Sequence, residues 1–185
     1  MENLKTKIYI ASTKSLEDEN LFNKLYCKVP AYRQKKIDSY QTEREKNLCL
    51  GTGLLLSLAL KDAGLDENEL EISTMDNGRP YFKNKSEIYF SLSHSQERVI
   101  CAISSSPIGV DVEYVTDERE KIIDWTQKES YAKASDCGMM DLLANKVSYD
   151  KQYKFKEITS SDDYVFMVCS TEKIKDDQVS IIDFA

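Results

Sequence analysis

Apolar and polar positions along this chain repeat with two different periods, and the changes of period mark out its elements. A short strand is predicted at Lys7–Ala11, between polar flanks. From Glu17 to Cys27 the period lengthens: Leu21, Phe22, Leu25 and Tyr26 fall on one helical face, which Pro30 closes. A second helical pattern covers residues 31–40. A third runs from Thr42 to Ala63 and stops at Gly64. Its leucines (48, 50, 54, 55, 58) are dense enough for a buried central helix, and Gly51 and Gly53 point to close packing. From Glu69 the period falls to two. Strands are predicted at Leu70–Thr74, Ile88–Leu92, Val99–Ser104 and Ile108–Tyr114, with turns at Asp76-Asn77-Gly78 and Ser106-Pro107. A helix is predicted over 118–135, with Asp117 as N-cap and Glu120 completing an acidic capping box. Cys137–Gly138 breaks it, Leu142–Ala144 is too short to assign, and Tyr153–Ile158, Tyr164–Ser170 and Val179–Phe184 read as strands.

The order is strand, helices, strands, and then strand, helix, strands. That order predicts an α+β fold of two units in series, each with antiparallel strands over helices, and not a doubly wound parallel sheet. No low-complexity linker separates the units. The junction is placed at the Ser104–Pro107 turn, dividing residues 1–105 from 106–185 across a tight interface.

Composition narrows the class. Over 185 residues, 41% hydrophobic and 10% aromatic content is that of a globular protein. The longest strongly apolar run, Leu54–Leu60, is too short to span a bilayer, and the N-terminus lacks the pattern of a signal peptide. The expectation is a cytoplasmic protein with no membrane contact. Its five cysteines are dispersed without a C-x-x-C pair, the usage of small hydrophobes in a reducing compartment. A single histidine excludes a His-rich metal site. The net charge of -7 comes from the second half: residues 1–105 carry 15 basic and 15 acidic side chains, residues 106–185 carry 10 and 17. A nucleic-acid surface is not expected. Between Lys24 and Lys46, however, seven Lys/Arg face three acids, which on its own reads as a solvated helix face.

Three groups of residues carry candidate chemistry. Asp111 and Glu113 are one residue apart in a strand and share a face, while Ile108, Val110 and Val112 take the other, core face. Paired carboxylates without thiol or imidazole partners favour Mg²⁺ over zinc; a solvent-facing acidic strand edge is the plainer alternative. On the next helix Glu129 shares a face with Trp125 and Lys133, at i−4 and i+4. It is either a surface Glu–Lys pair or a third metal carboxylate that also handles a proton beside a phosphate-stabilising cation. Trp125, read as a buried anchor of that face, tips the balance to the second. His94, in Ser91-Leu92-Ser93-His94-Ser95, invites a hydrolase reading, but no G-x-S-x-G elbow is present. A phosphate-binding turn of serine hydroxyls, backbone N–H groups and imidazole is the more economical role, with a structural histidine as the alternative.

In order, G-R-P-Y-F, F-S-L-S-H-S, I-G-V-D-V-E and W-T-Q-K-E-S-Y-A-K resemble the 4′-phosphopantetheinyl transferase superfamily, Sfp-type branch. The resemblance implies a fold of two similar α/β halves fused as a pseudo-dimer, monomeric in solution. It implies transfer of the 4′-phosphopantetheine of coenzyme A to a serine of an apo carrier protein, with release of adenosine 3′,5′-bisphosphate. It places Mg²⁺ on Asp111, Glu113 and Glu129, with Glu129 also deprotonating the carrier serine. Lys133 would contact the reacting phosphate, Arg79 and Pro80 the adenylate, and Ser93 and His94 the phosphates of coenzyme A. Arg33, Lys36 and Lys46 would meet its 3′-phosphate, although Asn47 falls where many members carry an arginine.

One departure stands out. The family usually has a long segment between its D-x-E and W-x-x-K-E motifs, and here only Tyr114–Asp124 connect them. The shortening removes part of the surface on which the family receives its carrier. It also keeps open a second reading, a coenzyme A- or carrier-binding relative with impaired catalysis. Retention of all three carboxylates and Lys133 speaks against that.

Overall fold

The computed structural model describes residues 4–75, 78–116, 118–144, 146–160 and 163–185. The chain opens with β1 (Lys7–Ser12), followed by a 3₁₀ turn at Lys14–Glu17 and α1 (Glu19–Tyr26). The sequence had merged that turn with α1. Asp18 separates them, its carboxylate capping the Leu21 N–H at 2.9 Å. After α2 (Ala31–Asp38) comes α3 (Glu43–Asp62), started by the reciprocal Thr42–Glu45 capping box. Of the leucines expected to be buried, Leu48, Leu50 and Leu55 are, Leu54 and Leu58 are half-buried, and Leu56 and Leu60 complete the buried face of α3.

The strands then follow: β2 (Ile72–Thr74), β3 (Pro80–Phe82), β4 (Tyr89–Ser95), β5 (Arg98–Ser104) and β6 (Ile108–Tyr114). α4 (Arg119–Ser135) and the short α5 (Met139–Leu143) precede β7 (Lys154–Ile158), β8 (Tyr164–Ser170) and β9 (Val179–Ile182). β3 was not foreseen. The expected N-cap of α4, Asp117, lies outside the described residues, and the helix ends at Asp136 in the left-handed region (φ 57°).

Two main sheets form, ordered β4-β5-β1-β9 and β6-β8-β7, beside a β2-β3 hairpin. Among the described residues all pairings are antiparallel except one. β9 runs parallel to β1, with Ile8 opposite Val179, which corrects the expectation of purely antiparallel sheets. Two anchors bring the chain back to that edge. Ile174 is buried in the core, and the Gln178 amide donates to the Thr6 carbonyl at 3.1 Å.

Alternation along each strand builds the layers. Ile8, Ile10, Ile100 and Ala102 of the first sheet pack against Val110, Val112, Phe166 and Val168 of the other. The opposite residues of β1 and β5, among them Tyr9, Cys101 and Ile103, meet α3. On the far face of the second sheet Tyr131, Ala132 and Ala134 of α4 meet Cys169. The fold is therefore α+β, two sheets face to face with a helix outside each. Cys49, Cys101 and Cys169 are buried as expected, whereas Cys27 is exposed and Cys137 half-buried. No helix among the described residues is long and apolar enough to cross a membrane.

Candidate active site

α4 lies across the face of β6 that carries Gly109, Asp111 and Glu113. A Cβ at Gly109 would collide with the Ser130 carbonyl oxygen, and would lie 2.6 Å from the Ala134 nitrogen and 2.9 Å from the Lys133 Cβ. Hydrogen at this position is what lets helix and strand come this close. One turn along, the Lys133 ammonium meets β6: it donates to Asp111 Oδ1 at 2.8 Å, to the Val110 carbonyl at 3.2 Å and to Ser93 Oγ at 3.2 Å. Asp111 is 3% exposed, and its Oδ1 also accepts the Ser93 hydroxyl at 2.7 Å. Its Oδ2 is buried and has no hydrogen-bond partner among the described residues. A carboxylate oxygen so placed is costly unless a cation meets it.

Glu113 and Glu129 are half-buried, and both have their carboxyl pKa raised. For Glu113 burial is the first cause, opposed by the Ser95 hydroxyl and then reinforced by the charge of Asp111; Lys133 lowers it and Glu129 raises it. For Glu129 burial again leads, partly offset by Lys133 and increased by Asp111. The three carboxylates expected from the sequence therefore sense one another, with Lys133 among them. Among the described residues, however, no three His, Cys, Asp or Glu side chains are gathered as they stand into a metal-holding group. The ammonium of Lys133 already occupies one of the two Asp111 oxygens. The donor chemistry fits a hard divalent cation: three carboxylates, one with an orphaned oxygen and two whose charge is disfavoured.

Beside this cluster a groove of ≈ 270 Å³ is lined by Arg79, Pro80, Leu92, Glu129, Lys133 and Cys137, among others. Arg79 follows Gly78 (φ 84°). Its guanidinium reaches across to α4, donating to the Lys133 carbonyl and pairing with Asp136 Oδ1 at 2.6 Å. A cation at the C-terminal end of a helix satisfies free carbonyls and opposes the helix dipole.

His94 points away from the serines on its strand. The residue is exposed, and its pKa is lowered, first by partial desolvation, then by Lys133, and further by Lys36 and Arg44. Lys36 is thus close enough to His94 to act on its charge. Arg44 joins it: this residue was counted in the basic cluster but not singled out, and it bonds the Gln96 side chain at 2.7 Å.

Packing sets the surroundings of three expected residues and corrects the expectation for one of them, Trp125. Arg33, expected as a phosphate contact, is 5% exposed, with its stem 3.0 Å from where a Gly53 Cβ would stand and its guanidinium over the Tyr32 ring. Ile37, four residues on, is buried on the same face, and this i,i+4 spacing was the available signal. Lys46 pairs with Glu43 at 3.0 Å and lines a different groove, with Phe22 and Tyr26. Trp125, expected as a buried anchor, is 39% exposed.

No protein-family model matches the chain. Individual curated proteins do. The 4′-phosphopantetheinyl transferase Sfp of Bacillus subtilis (strain 168) is 32% identical over 106 residues, covering 57% of this chain and 46% of that protein. The 4′-phosphopantetheinyl transferase gsp of Aneurinibacillus migulanus is 26% identical over 149 residues, 66% of this chain and 62% of its own. The 4′-phosphopantetheinyl transferase HetI of Nostoc sp. is 25% identical over 135 residues, 56% of this chain and 57% of its own. The chain thus spans about half the length of these curated relatives. Together with the four ordered motifs, these matches make the chain a sequence relative of the Sfp-type 4′-phosphopantetheinyl transferase superfamily.

Proposed function

We propose that the protein transfers the 4′-phosphopantetheine of coenzyme A to a serine hydroxyl of an apo carrier protein. The observation that carries this reading is the convergence of Asp111, Glu113, Glu129 and Lys133, from one strand and one helix, at the edge of a groove. In the reaction the serine oxygen bonds to the β-phosphorus of coenzyme A, the pyrophosphate bridge breaks, and adenosine 3′,5′-bisphosphate leaves. Glu129 takes the serine proton; burial and Asp111 raise its basicity, which suits that task. Lys133 places a positive charge beside the phosphate that gains negative charge. Asp111, Glu113 and Glu129 would hold Mg²⁺, which supplies charge neutralisation of the diphosphate when bound.

In this reading residues 1–105 supply the coenzyme A contacts, with Pro80 and Arg79 on the groove and His94 with Lys36 near the phosphates. Residues 106–185 supply the carboxylates and α4. Arg33 and Lys46, from the same basic segment as Lys36, remain proposed contacts of the 3′-phosphate. The proposed connection from β6 to α4 is short, so the carrier set is narrow. The test is mass spectrometry of apo carrier proteins incubated with enzyme, coenzyme A and Mg²⁺. A pantetheine-sized gain on the serine is expected. Coenzyme A binding without transfer to any carrier would favour an impaired relative instead.

The raised pKa values carry a linked prediction. Both carboxyls start from 4.5 and are raised on folding, so what they contribute to stability is present below 4.5 and is lost as pH rises through the raised values. At neutral pH a cation offsets that loss. Mg²⁺ at a hundred times its dissociation constant should stabilise the fold by about 2.7 kcal/mol, raising Tm by several degrees. Near pH 4 the protons compete and the gain should fade. Calorimetry showing the same Tm with and without Mg²⁺ at pH 7.5 would count against the three carboxylates as its ligands.

A further inference from the structure

β6 is an edge strand, and β4 of the other sheet lies along its free side. An edge strand leaves backbone groups without a ladder partner, and buried ones must find another. Three alternating serines of β4 face this edge. Ser91 Oγ accepts the Val110 N–H at 3.0 Å, and Ser95 Oγ accepts the Tyr114 N–H at 3.2 Å. Between them Ser93 turns to Asp111 and Lys133. The two sheets are therefore joined here through hydroxyls and not through a backbone ladder. Each hydroxyl has one proton and two lone pairs. Ser95 uses a lone pair on the Tyr114 N–H and spends its proton on Glu113 Oε2, at 2.8 Å. The backbone bond fixes where the oxygen sits, and the proton then fixes one oxygen of Glu113.

We propose that Ser95 is a positioning residue that holds one oxygen of Glu113 on the face of β6 that also carries Asp111, and so sets the affinity of a divalent cation there. The inference rests on reading Asp111, Glu113 and Glu129 as the metal ligands. A free Glu side chain must be ordered on binding, and partners that orient ligating carboxylates usually matter ten- to a hundredfold. Ser91 is the internal control. It makes the same kind of backbone bond but, among the described residues, no hydrogen bond to a carboxylate.

The test titrates Mn²⁺ into the intact protein by electron paramagnetic resonance, alongside thermal melting and amide exchange. Ser95→Ala should weaken Mn²⁺ binding about tenfold or more, and Ser95→Thr, which restores the hydroxyl, should recover it. Ser91→Ala should lower Tm and leave Mn²⁺ affinity within twofold. Ser95→Ala with unchanged affinity overturns the proposal, and so does an equal loss in Ser91→Ala. Exchange at the Tyr114 N–H separates the layers of the argument. If the wild type binds no Mn²⁺, the ligand reading falls, while faster Tyr114 exchange in Ser95→Ala still supports the hydroxyl clamp. Unchanged Tyr114 exchange overturns the clamp itself.

Discussion

Replacing Glu129 by Gln should lower pantetheine transfer about 10²- to 10⁴-fold, the usual worth of a general base, while Tm stays level or rises slightly. The two halves of that expectation have different causes. Gln keeps the length and packing of Glu but cannot accept the serine proton. Its neutral amide also removes a half-buried charge that burial and Asp111 disfavour, so the fold loses nothing. The comparison is made by timed mass spectrometry on one carrier, with calorimetry on the same sample. Lost transfer with an unchanged Tm assigns Glu129 to chemistry. Lost transfer with a lower Tm would point to a damaged helix, and undiminished transfer would remove Glu129 from the mechanism.

What the sequence made legible was local. β6 and β8 were read residue for residue, β6 because period-two alternation fixes a strand and its faces together, β8 because a short unbroken run of β-branched and aromatic residues reads as a buried strand. That reading also put Asp111 and Glu113 on the face away from the core, where α4 now covers them. β3 escaped because three residues beginning with Pro80 show no period. The burial of Arg33 escaped for a different reason. A charge in a basic cluster reads as surface, and only the approach of α2 to Gly53 on α3 buries it. The seam between β4 and β6 was out of reach altogether. Ser91, Ser93 and Ser95 were visible as an alternating set, but which strand they face depends on how two sheets pack. Arg79 shows the same limit, since nothing near it in sequence announces the end of α4.

Gly109 is where that packing is least forgiving, and Gly109→Ala should be the most damaging single change in the site. An added methyl at a tolerant position displaces a flexible side-chain end. Here the atoms in its way are the backbone carbonyl of Ser130 and the backbone nitrogen of Ala134, with the Lys133 Cβ at 2.9 Å. The backbone of these last turns of α4 cannot yield without the end of the helix moving. Overpacking of this kind typically costs about 1–3 kcal/mol and here should reach or exceed the upper end. For a chain of this size that lowers Tm by roughly 6–12 °C. The helix carries Glu129 and Lys133, so displacement should also separate them from Asp111 and Glu113. Transfer is then expected to fall by more than the unfolded fraction explains, because errors of about 1 Å in a positioned group cost on the order of 10²-fold. Melting curves and transfer rates measured well below the mutant's Tm test both parts. A Gly109→Ala protein with wild-type Tm would mean that α4 does not sit this close to β6. One with lowered Tm and full activity per folded molecule would mean that the position of α4 does not limit the reaction.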